Sequence, residues 1–547
     1  MSKPKEILNL YEQYKQARVN LDNTAQEIID NILPYMSDVT ITRAPGEKKN
    51  SRIFDASASY GHHVFSQFVQ GSIINPGQKW FALHHRDNQA DEKQAVAGWN
   101  QDSRDRMLRL MRTAFYGPAG QAIDNWAGFG NGPLLIEAVP KKREGLGPIR
   151  FTSVPYGQSV MAEGDDGRID QFIRCMKIPA HQAVKLGDVS TDIQKAAEKE
   201  PLREFEILHS ILPRDMQEYS KSAIKGSKDL PWASCWVEKE KGKLIKESGY
   251  RKFPVAIARY ALISGSPYAR GLAELALPDA KTLNLADQKA LLKWDRELDP
   301  PTLTQRNSLV SKILDKRAGG NTIVNNIDKA VAPLFDSGNW QSHDLMAGRK
   351  ELAILRIFHV NEILNLLSRE KPELTAFEVN ARLTLLQQIL GPVFGILESE
   401  FLSQIVELTL DNMAHMGLLA QPPDEIAQGD GDILDVIYEG PLARAQRNGD
   451  IQNIQQSVAD VVGIQPLWPE VVKLPDWEKM TRNLFAIRGT QHLLIGEQEF
   501  LEEQTKLVEQ ANADKAAALV GGGSEALGKI APYLKVQNDI STGRAAA

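Results

Sequence analysis

Cysteine is almost missing: Cys175 and Cys235 are the two in 547 residues and can pair at most once. A secreted, disulfide-stapled framework is therefore excluded, and a reducing compartment is the expectation. Long apolar runs are missing too. No stretch reaches the roughly twenty residues of a membrane span, and Met1-Ser2-Lys3-Pro4-Lys5-Glu6 leads into a polar amphipathic segment rather than the apolar core of a signal peptide. The expected setting is a cytoplasm, without a membrane partner. A large excess of one charge is also lacking, with 64 Lys and Arg against 70 Asp and Glu, which argues against holding nucleic acid by bulk electrostatics.

Catalytic signatures are scarce as well. There is no Gly-x-Ser-x-Gly elbow, no His-Glu-x-x-His and no clustered carboxylate motif. Gly523-Ser-Glu-Ala-Leu-Gly528-Lys529-Ile530 falls short of a phosphate loop, because Ile530 replaces the hydroxyl that would ligate magnesium and Ala-rich sequence stands where a strand is needed. His85-Arg86-Asp87 echoes a kinase catalytic loop, but Glu92 stands where the metal-binding Asn belongs and no Asp-Phe-Gly follows. His62-His63 and His84-His85 are adjacent pairs, and adjacent side chains do not converge on one metal. Gly128, Gly130 and Gly132 follow a helix and precede a strand, the reverse of a dinucleotide loop, so they read as a chain turn. No catalytic residue, metal or cofactor is expected.

What the sequence does contain is organisation. Its length suggests three or four domains or one elongated subunit. Three amphipathic helices are expected, over Pro4–Leu33 and about Ala56–Ile74 and Ala90–Phe115, the second stopped by Asn75-Pro76-Gly77. Pro133 to Leu262 is cut by Pro and Gly into short apolar runs and reads as a β-rich block. Helical texture returns at Leu277–Leu298 and His343–Leu367, flanking an insert rich in Pro, Gly and Asn at 299–342. The longest predicted element opens at Thr375, which forms a capping-box pattern with Glu378, and runs to about Leu419. Gly391-Pro392 should kink it, since Pro lacks the backbone donor and its ring strikes the preceding turn. Residues 421–547 carry 11 basic against 19 acidic side chains, so the acidity sits in a mainly helical C-terminal region that ends in an Ala/Gly-rich tail after about Gln510.

Several stretches, collinear over most of the chain, resemble the head-to-tail connector, or portal protein, of short-tailed double-stranded-DNA phages. They begin with Ile53-Phe-Asp55-Ala-Ser-Ala58, Asn75-Pro76 and Trp80-Phe81-Ala82-Leu83. His209-Ser-Ile-Leu-Pro213-Arg214 and Glu247-Ser-Gly249-Tyr250-Arg-Lys-Phe253-Pro254 follow, then Tyr268-Ala-Arg270-Gly271, Leu277-Pro278-Asp279, Leu283-Asn284 and Asp299-Pro300-Pro301. The most specific are Leu374-Thr375 to Glu378-Val379 with Arg382, Leu390-Gly391-Pro392-Val393, Glu400, Gly417-Leu418 with Pro422-Pro423, and Tyr438-Glu439-Gly440-Pro441-Leu442-Ala443-Arg444. Ala269 stands where the family commonly has Gly, and Leu272 rather than Pro follows Gly271.

The resemblance implies an α+β fold of portal architecture, mainly α with a β-rich block in the N-terminal half. Residues 1–271 would form the N-terminal part of a wing, 272–298 a first stem helix, 299–342 a clip and 343–369 a second stem helix. A channel loop and long kinked wing helix would occupy 370–425, a crown 426–510 and a flexible tail 511–547. It implies a non-enzymatic dodecameric ring at one capsid vertex, in the virion and, during assembly, in the host cytoplasm. Its partners would be the terminase large subunit, the major capsid and scaffolding proteins, a tail adaptor protein, and double-stranded DNA passing without sequence specificity. Arg369, Lys371, Arg349, Lys350 and Arg356 are the candidate DNA-channel residues, and Thr375, Glu378, Gly391 and Pro392 the structural ones. The rival readings are a nucleotide hydrolase using Lys529, or a scaffold or coat component without a channel.

Overall fold

A computed structural model describes residues 3–44, 46–86, 94–139, 147–214, 230–298, 302–304, 331–333, 340–367, 390–423, 426, 434–438, 441–466, 468–487, 500, 505–507 and 509–510. In chain order the elements are α1 Lys3–Ala17, α2 Val19–Asn31, α3 Ser57–Ile73, β1 Phe81–His85, α4 Gln94–Ala114, α5 Tyr116–Phe129, β2 Asn131–Ala138, β3 Ile149–Ser153, β4 Ser159–Glu163, β5 Ile169–Pro179, α6 Thr191–Lys199, β6 Glu204–Pro213, β7 Trp232–Glu238, β8 Leu244–Tyr250, β9 Val255–Arg259, β10 Ala261–Leu262 and β11 Ala269–Arg270. Then follow α7 Leu272–Leu298, β12 Thr302–Thr304, β13 Val331–Pro333, α8 Trp340–Ile357, α9 Val360–Leu367, a π-helical stretch Leu397–Leu402, α10 Ser403–His415, β14 Leu434–Tyr438, α11 Pro441–Ile464 and α12 Trp477–Ile487. The chain divides into two compact units: Met1–Ala82 with Asp102–Ala420 and Val436–Leu442, and Leu83–Gln101 with Gln421–Asp435 and Ala443–Ala547. The second contains most of α11 and all of α12, in line with the helical texture expected there. The fold is mixed α and β.

The β-rich block of the first unit holds two antiparallel sheets, ordered β3-β2-β9 and β4-β5-β6-β7-β8. Side chains alternate across a strand, so neighbours in sequence feed different cores. Phe172 and Ile211, paired in register, join Leu135, Val255 and Ile257 of the smaller sheet. Ile173 and Leu208 face the other way, onto Ile7 and Tyr11 of α1. Beyond the first core, Phe205, Ile207 and Ile245 pack on Ile193 and Ala196 of α6.

The expected helix over 4–33 is two helices. Arg18, only 2 % exposed, breaks it and becomes a strut between helix and sheet. Its guanidinium donates to the Tyr156 and Ser159 carbonyls, pairs with Asp22 at 2.8 Å and lies over the Tyr156 and Tyr268 rings. A buried cation needs all of these partners, and local periodicity says nothing of them. The helix over 56–74 is α3, opened by Asp55, whose carboxylate accepts from the Ser57 N–H and hydroxyl at 2.9 Å each. The expected helix 90–115 is α4, and a second one, α5, follows it directly. Trp80 and Phe81 are fully buried, Trp80 stacking on Phe115.

The turn after α5 explains its glycines. Gly130 caps the helix at φ +86°, and a Cβ there would lie 2.3 Å from the Ala269 carbonyl oxygen. A Cβ on Gly271 would lie 2.3 Å from the Gly128 oxygen. Asn131 seals the contact, exchanging two hydrogen bonds of 3.2 Å with the Ala269 backbone. These residues seat the start of α7 rather than a pyrophosphate. His62 likewise is a core residue: Tyr35 Oη lies 2.9 Å from Nδ1, the Asp124 carbonyl lies 3.1 Å from Nε2, and burial lowers its pKa. Cys175 and Cys235 stand on β5 and β7 and are both free.

His209 on β6 is fully buried, stacked at 4.2 Å on Trp236 and 2.9 Å from the Ser234 hydroxyl. Burial pushes its pKa from 6.5 down to about 4, with Glu137 opposing the shift and Arg174, Arg150 and Lys246 adding to it. The folded state thus binds this proton less well than the unfolded chain, so stability is full above pH 6.5 and is lost as pH falls towards 4. The loss amounts to about 3 kcal/mol. Chemical unfolding across that window should show His209→Gln lacking this share of the pH dependence; equal slopes for both proteins would contradict the assignment.

Candidate functional site

Helices α7 and α8 pack against each other, and an ion pair and a His–Asp contact fix how. Lys350 Nζ lies 2.6 Å from Asp279 Oδ1, and His343 Nε2 lies 3.3 Å from Asp287 Oδ1. Eight residues forward on α7 match seven backward on α8, so the helices are antiparallel. Strands β12 and β13 continue the hairpin, with Thr302 opposite Pro333 and Thr304 opposite Val331. The rest of the insert lies outside the described residues.

The two ends of this hairpin differ in physical character. At its root Leu272, Ala273, Ala276, Leu277, Ala280 and Leu283 of α7 are buried, as are Ile354 of α8 and Phe358 just after it. Phe358 presses on Gly61 of α3, where a Cβ would lie 2.7 Å from its ring. Here the expected second helix, read as continuous over 343–367, is interrupted: His359 takes φ +54° between α8 and α9. Packing of the Phe358 ring overrides helical propensity at that point.

Asn284 marks the boundary of the root. Buried on α7, its Oδ1 accepts from the Phe54 and Asp55 backbone N–H groups at 3.0 Å each, and its Nδ2 donates to the Asn31 carbonyl at 3.4 Å. Beyond it the hairpin is exposed and apolar. Leu285, Leu291, Leu292 and Trp294 on α7 and Leu345 and Met346 on α8 are 47 to 65 % exposed, and Leu352, alongside the root, is 48 % exposed. Leu285 and Leu292 are seven residues apart and share a face, as do Leu345 and Leu352. So many exposed apolar side chains on one hairpin mark an interaction face.

Arg349 and Arg356 are exposed and fall at the same helical spacing as Leu345 and Leu352, so α8 presents Leu, Arg, Leu and Arg along one stripe. Lys350 is half-buried and engaged with Asp279. Arg369, Lys371, Thr375 and Glu378 lie outside the described residues, as do Gly523–Lys529. Gly391 and Pro392 fall within the helical residues 390–396, and the turn before them lies outside the described residues. The irregularity that is seen comes later, at the π-helical Leu397–Leu402. The helix then ends at His415 through Gly417 at φ +65°, with Leu418 N–H donating to the Met413 carbonyl at 3.0 Å, before the Pro422-Pro423 pair expected to stop it.

Glu400 and Tyr438 stand in the motifs that carry the family resemblance, and geometry supplies their roles. Arg259, 6 % exposed by side chain, meets Glu400 through two bonds of 2.8 and 2.6 Å and Glu163 at 2.6 Å. These carboxylates, Glu400 first, raise the pKa of the guanidinium. Tyr438 Oη lies 2.8 Å from the Ser403 hydroxyl.

Asn284→Ala should lower stability by about 1–3 kcal/mol, because it strands two part-buried backbone donors. Arg349→Ala, on the exposed stripe, should change it by less than about 0.5 kcal/mol. Urea unfolding of both variants tests this, and equal effects would contradict it.

Residues 4–495 match the family described as bacteriophage head to tail connecting protein. A probable portal protein of Bordetella phage BPP-1 is 24 % identical over 550 aligned residues, covering 96 % of this chain and 94 % of its own. The portal protein of Salmonella phage epsilon15 is 24 % identical over 533, covering 94 % and 92 %. A chain from the virion of a native gene transfer agent particle aligns with 74 % of this chain and 90 % of its own, at 11 % identity and a TM-score of 0.31. A family match running through nearly the whole sequence settles the relationship: the chain belongs to the bacteriophage head-to-tail connecting proteins.

Proposed function

We propose that the chain is the subunit of a dodecameric portal ring at one capsid vertex, through which double-stranded DNA is packaged and ejected. The observation that carries this reading is the α7/α8 hairpin, rooted in the core at one end and bare and apolar at the other. A cyclic ring needs two different complementary faces on every subunit, and an exposed leucine stripe on a rigid hairpin offers one of them. Burying each such side chain is worth about 1.5–3 kcal/mol, and closure repeats the gain at every interface.

On this reading residues 1–271 and 370–425 are wing, 272–298 and 343–369 stem, 299–342 clip, 426–510 crown and 511–547 tail. The clip meets the terminase large subunit and later a tail adaptor protein, and the wing meets the major capsid and scaffolding proteins. The protein works in the virion after assembly in the host cytoplasm, and it acts as a shaped conduit without catalysis. Near-neutral charge suits a conduit, because each neutralised phosphate releases counterions and deepens the well in which DNA would stick.

Leu292→Asp combined with Leu352→Asp should leave a folded chain that no longer forms rings by native mass spectrometry. Rings of unchanged mass and stability would remove the hairpin from the interface. Arg369 and Lys371 are proposed to approach the DNA most closely. Replacing Arg369 and Lys371 by Ala should leave assembly intact but slow packaging or shorten the retained genome. Packaging indistinguishable from the parent would leave that segment a plain turn.

A further inference from the structure

The stretch Leu397–Leu402 is wound as a π-helix between helical residues 390–396 and α10. Its hydrogen bonds skip one residue more than an α-helix allows, and the Ser403 N–H reaches the Glu398 carbonyl. Such a turn persists only where its surroundings over-determine it.

Two clamps do so. From strand β9, Arg259 grips the Glu400 carboxylate in a bidentate pair, and the Gln404 side-chain amide, oriented to donate, bridges the Glu400 and Val255 carbonyls at 3.2 and 3.3 Å. From strand β14, the Tyr438 hydroxyl meets Ser403 Oγ at 2.8 Å, and that hydroxyl in turn donates to the Glu398 carbonyl at 2.9 Å. The clamps differ in what carries them. Arg259 ends a strand whose five residues are all buried. Tyr438 ends a five-residue strand of part-exposed residues, from which the chain runs on to α11.

The segment also has somewhere to go. A cavity of about 190 Å³ lies against Ser399, Glu400 and Gln404. On the C-terminal side Ile405, Val406, Leu408, Thr409 and Met413 are buried and hold α10 in place. On the N-terminal side Leu390 and Phe394 are buried, while Gly391 and Gly395 follow each directly. Absorbing the extra residue into an α-helix would push the N-terminal flank outward by one position. Gly391 and Gly395 would then stand where Leu390 and Phe394 pack; no Cβ obstructs the move, and its cost is the burial of those two side chains.

We propose that Leu397–Leu402 is a register switch. With Tyr438 docked it is π-helical; when the strand carrying Tyr438 withdraws, it rewinds to α-helix, and residues 390–396 turn by about 100° and advance by about 1.5 Å. The chain that follows Tyr438 thereby sets the orientation of the helix that precedes Glu398. This goes beyond the conduit reading and does not depend on it.

Two variants of the full chain test the switch by hydrogen–deuterium exchange. Tyr438→Phe removes one oxygen; amides of 390–402 should exchange at least tenfold faster while those of 405–415 stay unchanged. Deleting Ser399, an exposed residue within the π-turn, removes the extra residue itself. That variant should fold, keep 390–402 slowly exchanging, and become insensitive to added Tyr438→Phe. Exchange within twofold of the parent in Tyr438→Phe, or a Ser399 deletion that unfolds or exposes 405–415, would overturn the proposal.

Discussion

The close approach of Gly271 to the Gly128–Gly130 turn is the contact on which the rest of the first unit depends. Two backbones meet there at distances that no Cβ could survive, and Asn131 ties them with paired hydrogen bonds. Because α7 starts at the next residue, its direction is set by backbone rather than by adaptable side chains. Ala273, Ala276 and Ala280 let it lie close to its neighbours, and Asn284 ends the buried root by holding the loop before α3. The hairpin then carries its exposed apolar side chains on a fixed root.

Much of this was legible in the sequence, and the limits have physical causes. Helix α3, the β-rich block and most of α7 follow from periodicity and turn residues, which are local signals; the Asp55 opening of α3 was marked by resemblance. The break at Arg18 was not legible, since nothing local distinguishes a buried guanidinium satisfied by carbonyls more than a hundred residues away from a surface arginine. The interruption at His359 has the same origin in a distant contact, Phe358 on Gly61. The spacing of Leu345, Arg349, Leu352 and Arg356 was present in the sequence, but exposure is what turns that stripe from a core pattern into an interaction face. Glu400 and Tyr438 could be marked by resemblance alone, because their partners Arg259 and Ser403 are set by tertiary structure.

Charge plays two separate parts. Within the first unit it is used in closed groups, Arg18 with Asp22 and Arg259 with Glu163 and Glu400, where burial makes pairing obligatory. On the outer stripe of α8 it is used sparingly, arginines alternating with leucines. The C-terminal region carries a net charge of −8 over residues 421–547. On the proposed reading, a conduit that guides DNA without gripping it is well served by this division.

The central claim is that an isolated chain is incomplete and that further copies of itself cover its bare hairpin. Electron microscopy of the purified full-length protein tests this most directly. The account predicts closed rings with a central hole, the helical hairpins adjoining one another around it. Monodisperse single chains at micromolar concentration, with Leu285, Leu292, Leu345 and Leu352 open to solvent, would contradict it.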